Sequence, residues 1–136
     1  MFTENEIVEA MVSFFKKKRF SVSQSRSTNQ KGVDIIAKSP RGITYYIEAK
    51  GGTSSKPNTA RYGRPFSKNQ ANTHISVAIT KCFQKLQESS NKCIVGIALP
   101  KDENHLSIIK SIVKPLQKTK LKVYFINKDK KVKKYI

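Results

Sequence analysis

Seven consecutive apolar residues, Ile94 to Pro100 (IVGIALP), set the strongest limit on what this chain can become. The run is far shorter than the roughly 20 residues of a membrane span. It shows neither the alternation of a half-exposed strand nor the spacing of an amphipathic helix. It therefore predicts a strand covered on both faces. Such a strand needs apolar layers above and below it, and the remaining chain has to supply them. At 136 residues the sequence suits one domain, residues 1–136, built around that strand.

The other segments supply those layers. Over 4–18, Ile7, Val8, Met11 and Phe15 recur at three- and four-residue spacing and predict a helix. Its basic end, Lys16 to Arg19, complements the negative end of the helix dipole. Residues 20–25 alternate as a short strand, 33–38 (VDIIAK) form a second and 43–50 (ITYYIEAK) a third. Between the last two, Ser39-Pro40-Arg41-Gly42 has the residues of a tight turn, so these strands pair as a hairpin. Residues 51–66 lack periodicity and read as a flexible basic loop. Ser67 then caps a helix with Gln70 three residues on, and Ala71, Ile75, Ala78, Cys82 and Leu86 lie along its buried face. A third helix from about Asn104 is expected to kink or end early near Pro115, 121–127 is a last strand, and 128–136 is a basic tail. The order α-β-β-β-α-β-α-β predicts an α/β fold, a mixed sheet with helices on both faces.

Charge narrows the partners. Lys and Arg number 27 against 9 Asp and Glu, a formal net charge of +18, a field that attracts polyanions and so favours DNA or RNA. The start MFTENEIVEA is acidic where a signal peptide is basic, and no apolar run spans a membrane, so the expected location is cytoplasmic. Cys82 and Cys93 are too few for a disulfide scaffold. Their spacing with His74 and His105 does not suit structural zinc.

In so basic a chain, an acid inside an apolar strand demands explanation. Asp34 sits in GVDIIA and Glu48 in YYIEAK. A buried carboxylate is costly unless paired or bound to metal. Alternation puts Glu48 and Lys50 on one face of their strand, Ile47 and Ala49 on the other, with Asp34 on the partner strand. These residues suit either a structural ion pair or a site for phosphodiester hydrolysis. In the second case two carboxylates hold a hard divalent cation and a lysine stabilises developing charge.

Asp34, thirteen intervening residues, then Glu48-Ala49-Lys50 resembles the D-x(n)-E-x-K signature of the PD-(D/E)XK nucleases, which include restriction enzymes, Mrr-like endonucleases and Holliday-junction resolvases. The likeness covers roughly residues 4–100. The family's Pro before the Asp is Val33 here. The resemblance implies a restriction-endonuclease-like core and a DNA endonuclease using Mg²⁺ or Mn²⁺. Asp34, Glu48 and the backbone carbonyl of Ala49 would be metal ligands and Lys50 the catalytic lysine. Several members add an acid from the first helix; Glu4 shares the buried stripe and is the candidate, with Glu9 as the alternative. Gln70 and His74, one turn apart, are accessory candidates. Lys56, Arg61, Tyr62, Arg64 and Lys68 interleave basic and aromatic chemistry suited to phosphate contact and base stacking on duplex or branched DNA. Cutting two strands with so small a chain suggests a homodimer. Two other readings use the same residues: a nuclease-like fold kept for DNA binding alone, or a basic RNA-associated protein.

Overall fold

A computed structural model describes residues 2–25, 32–53, 63–89 and 92–136. Its elements run α1 (Glu4–Lys17), β1 (Ser21–Ser25), β2 (Ile35–Lys38), β3 (Thr44–Ala49), α2 (Lys68–Glu88), β4 (Cys93–Pro100), α3 (Glu103–Ser111), α4 (Val113–Gln117), β5 (Leu121–Ile126) and β6 (Val132–Lys134). The strands form one sheet in sequence order. β1, β2 and β3 are an antiparallel meander, β3, β4 and β5 run parallel, and β6 returns antiparallel on β5. This is the expected mixed α/β architecture, with two additions.

The first, the break between α3 and α4, is the kink or early end expected near Pro115. Pro115 cannot donate to the carbonyl one turn back, and the helix interrupts at Ile112 (φ −127°) before resuming. The second is β6, which corrects the reading of 128–136 as a tail. Lys130 takes a positive φ of 64° in the reversal from β5, and Ile126 pairs with Val132 across it. Lysines on an outer strand also discourage pairing with other chains.

β4 sits centrally, as its composition requires. Val95, Ile97 and Leu99 point toward α2 and α3, where they meet Ile75, Ala78, Cys82, Ile109, Val123 and Phe125. Its small Ala98 faces α1 instead, with Ile7, Met11, Phe15, Ile47 and Tyr124. Gly96 leaves room beside that layer: a β-carbon there would come 3.0 Å from Ile47 Cδ1 and 3.2 Å from Tyr124 Cε2. Large residues on one face of β4 and small ones on the other match an aliphatic layer opposite an aromatic one.

The ends of α1 fix where it lies. Thr3 and Glu6 form a reciprocal capping box at its start. At its other end the Arg19 amide donates to Lys16 O and the Phe20 amide to Phe15 O, with Arg19 at φ 64° and the Phe20 ring stacked 4.9 Å from Phe15. This closure ordinarily uses glycine; here an arginine accepts the left-handed backbone. At the N-terminal end, α1 rests directly on Gly51. A β-carbon at Gly51 would lie 2.5 Å from Glu4 N and 2.8 Å from Thr3 C. The Gly52 amide donates to Phe2 O at 2.8 Å, and the Phe66 amide donates to Gly52 O at 2.9 Å. Gly51, Gly52 and Thr53 are buried, which corrects the reading of 51–66 as a flexible loop from its first residue.

Candidate active site

Asp34 immediately precedes β2, and Ile35 pairs with Ile47, so the next step along the antiparallel ladder sets Asp34 opposite Glu48. Both side chains are buried, 6% and 3% exposed. The Ala49 amide donates to Asp34 Oδ2 at 2.8 Å, and the two carboxyl groups act on each other's charge. Alternation does the rest: Ile47 and Ala49 join the α1 layer while Glu48 turns to the α2 side, toward Lys81 and Cys82.

Two carboxyl groups this close resist ionising together. Burial, then the negative charge of Asp34, pushes Glu48 up to about 7, against the pull of Lys81 and Lys50. Asp34 is raised as well, chiefly by burial, although the Ala49 amide, Lys50, Glu48 and Lys81 draw it down. The pair therefore holds a proton at pH values where isolated carboxyls hold none.

Glu4 is half-buried and shares this field. Burial and then Asp34 raise its pKa, and Lys50 and Lys81 oppose them. Contact between α1 and Gly51 brings it there. Glu9, the alternative, is exposed and lines a groove of about 560 Å³ with Glu6, Lys17 and Asp129 to Val132. Gln70 is occupied elsewhere, its Oε1 accepting from Ser67 N at 2.8 Å as the cap partner of α2. His74 is half-buried, its ring 4.6 Å from Phe66; burial and the charges of Lys50 and His105 lower its pKa. Arg64 and Lys68 are exposed. Lys56, Arg61 and Tyr62 lie outside the described residues.

Two features escaped the sequence reading. Lys81 Nζ lies 4.0 Å from Glu48 Oε2, a direct cationic contact of that carboxylate. Its signal was present: Lys81 follows His74 by seven residues, two helical turns along one face. The other is a polar cluster at the start of α3, where Asp102 caps the helix and binds the buried His105 ring.

Asp34, Glu48 and the carbonyl of Ala49 offer oxygen donors alone, the chemistry of a hard divalent cation. Among the described residues, no three His, Cys, Asp or Glu side chains group closely enough to hold an ion by themselves. Both cysteines are free and buried, and Cys82 Sγ donates to Gly96 O at 3.3 Å; burial raises its thiol to about 12, so it is inert as a ligand or nucleophile. No helix among the described residues is long and apolar enough to cross a membrane.

No protein-family model matches the chain, and no curated protein matches it in sequence. Solved structures do match in fold. An XisH family protein from Nostoc punctiforme superposes with a TM-score of 0.59 at 11% identity, over 94% of this chain and 96% of its own. An FdxN element excision controlling factor protein from Anabaena variabilis gives 0.59 at 16% identity, over 95% and 96%. At these identities the likeness is one of fold, and it runs nearly the full length of each chain.

Proposed function

We propose that the protein is a metal-dependent DNA endonuclease whose site is Asp34, Glu48 and Lys50. The observation that carries this reading is the pair of buried carboxyl groups set opposite each other at the end of β2 and β3, with Asp34 held by the Ala49 amide and Glu48 raised to about 7. Such a pair has a charge excess that a proton relieves at low pH and a divalent cation relieves better at neutral pH. Asp34, Glu48 and the Ala49 carbonyl would hold Mg²⁺ or Mn²⁺, joined by Glu4, which feels the charge of Asp34. When bound, the ion supplies charge neutralisation and an acidified water.

The remaining work falls to the chain. Lys50 lies where it lowers the pKa of all three acids, so its charge falls on the position of a scissile phosphate drawn to them. Lys81 holds Glu48 while no cation does and is half exposed, free to swing to a phosphate. Arg64 and Lys68 are exposed and carry the solvent-facing charge that DNA requires. The Anabaena protein of this fold has a name that concerns control of element excision, which supports DNA as the partner. Duplex or branched DNA cut on both strands would call for a homodimer.

The Lys81–Glu48 ion pair favours a second reading, a DNA-binding protein without catalysis, because it gives the carboxylate a partner needing no metal. One experiment separates the two. Plasmid, branched and single-stranded DNA are incubated with wild type, Lys50→Ala and Asp34→Ala, with Mg²⁺ or Mn²⁺ and then with EDTA. Endonuclease function predicts cleavage by wild type alone, stopped by EDTA. Lys50→Ala should retain cation and DNA binding, because its charge acts mainly in the transition state. Asp34→Ala should lose cation binding and cleavage together. Binding of DNA with no cleavage under any condition overturns the endonuclease reading and leaves the binding one.

A further inference from the structure

Behind the site, on the α2–α3 side, lie the two histidines of the chain, His74 and His105. His105 is 1% exposed, and its Nδ1 lies 2.8 and 2.9 Å from the two oxygens of Asp102. Asp102 also accepts from the His105 amide at 2.8 Å. Although burial works against it, these hydrogen bonds hold the Asp102 carboxyl below its usual range, so it is ionised and only accepts. His105 Nδ1 must therefore carry the proton, leaving Nε2 as the atom that faces inward. Nε2 is buried with no protein partner, and so is Nδ1 of His74 on the adjoining helix.

Two buried imidazole nitrogens without a protein partner on facing helices are costly unless a shared water joins them. The surroundings hold them in place. Asn104 Nδ2 donates to Phe66 O at 3.2 Å, and the Phe66 ring packs edge-on to His74 at 4.6 Å, so the first turn of α3 braces the start of α2. The charged or titratable groups acting on His74 are Lys50 from β3 and His105 from α3. Lys50 discourages a proton on His74 and equally discourages a metal cation there. What fits beside a lysine is a neutral base. Asp102, by contrast, has its side chain 27% exposed at the rim.

We propose that Asp102, His105 and His74 form a proton relay from the Lys50 side of the site to solvent. His74 takes a proton at Nε2 from the attacking water and gives its Nδ1 proton, through a shared water, to His105 Nε2. The resulting imidazolium hands its Nδ1 proton to the Asp102 carboxylate, which releases it to solvent at the rim; after product release the reverse shift, with His74 Nε2 losing its proton to the cleft, restores both tautomers. No other bond is made or broken. His74 is thus the base, and His105 and Asp102 are positioning residues that fix its tautomer and accept its charge, the division of labour in a Ser-His-Asp triad without the serine. A purely structural role, His105 as the third residue of a capped helix, explains the Asp102 contact but leaves both open nitrogens unexplained.

The catalytic half of this proposal rests on the endonuclease reading; the coupling of the two rings does not. With two histidines in the chain, ¹⁵N imidazole spectra of the full-length protein resolve both tautomers and both titrations. His105→Gln and Asp102→Asn should each shift the His74 titration, and wild-type His105 should appear with its proton on Nδ1. In cleavage assays with Mg²⁺, His74→Gln should lower kcat on the order of 100-fold with little change in KM for DNA, and Asp102→Asn should lower it in the same direction. An identical His74 titration in wild type, His105→Gln and Asp102→Asn overturns the relay whatever the cleavage data say. Unchanged kcat in His74→Gln overturns its catalytic role. If wild type cuts no DNA while the titrations remain coupled, the endonuclease reading has failed and the coupled pair stands.

Discussion

The two faces of the sheet are built from different materials. The α1 face is aromatic: Phe14, Phe15, Phe20, Tyr45 and Tyr124 contact one another edge-on or stacked, with ring centroids 4.9 to 6.2 Å apart. The α2–α3 face is aliphatic and admits polarity, with Glu48, Cys82, His74 and His105 gathered at or beneath its helices. One face stabilises by packing; the other spends part of that stability on groups that would rather be in water. This division explains how a chain of modest size keeps two neighbouring carboxyl groups inside. It also implies that damage to one face should be readable without the other.

The largest expected effect tests that separation. Phe15 is 1% exposed and touches Phe14, Phe20, Tyr45 and Tyr124. Phe15→Ala should lower unfolding free energy by about 3–5 kcal/mol, measured by denaturant titration, while cation binding per folded molecule stays the same. Loss of cation binding at temperatures where the variant is still folded would mean the faces are not separable.

Gly51 joins them, because α1 touches the end of β3 there. Gly51→Ala places a methyl 2.5 Å from Glu4 N, against backbone that cannot swing aside. We expect a loss of about 2–3 kcal/mol, less than for Phe15. Unlike the Phe15 change, it should also weaken cation affinity, since Glu4 is carried outward with the helix. Stability loss with affinity intact would remove Glu4 from the site.

How much of this was legible in the sequence depended on whether a residue's role was periodic. The helices, the β2–β3 hairpin and the central β4 follow from apolar spacing, and Asp34 and Glu48 stood out because charge is rare inside such runs. β6 was hidden because Lys131 to Lys134 is mostly charge and the reversal before it uses Lys130 at positive φ in place of a glycine. Gly51 gave no sign either, since close approach of two backbones depends on residues 47 positions apart. Lys81 and the Asp102–His105 pair were readable in principle by helical spacing and capping pattern. They went unread because each has an ordinary explanation on its own, a surface lysine and a capped helix.

A smaller effect comes from the polar face alone, and its sign depends on pH. Glu48 moves from 4.5 to about 7 on folding, so the folded state holds the extra proton between those values. Its stabilising contribution is complete below about 4.5 and is lost as pH rises through about 7. Between pH 5 and 8 without divalent ions, unfolding free energy should fall on the order of 1–2 kcal/mol. Mg²⁺ or Mn²⁺ should restore it at pH 8, and Glu48→Gln should flatten the pH slope and abolish the metal rescue. A melting temperature independent of both pH and Mg²⁺ would show that no cation replaces the proton on Glu48.

The smallest expected effect compares the faces most directly, because each carries the same device. Thr3 and Glu6 cap α1, and Ser67 and Gln70 cap α2, by the same reciprocal hydrogen bonds. Thr3→Ala and Ser67→Ala should each cost about 1 kcal/mol, equal within error if caps act only on their own helices. Their consequences for the site should differ. The α1 cap lies against Gly51 and sets where Glu4 begins, whereas Ser67 follows Phe66, which packs on His74. Thr3→Ala should therefore lower cation affinity and leave the His74 titration unchanged. Ser67→Ala should shift the His74 titration and leave cation affinity unchanged. Calorimetry with Mn²⁺ and imidazole spectra on the two variants decide it. If both changes move both quantities, the two faces are one cooperative unit at this edge of the sheet, and the division between a packing face and a polar face ends there.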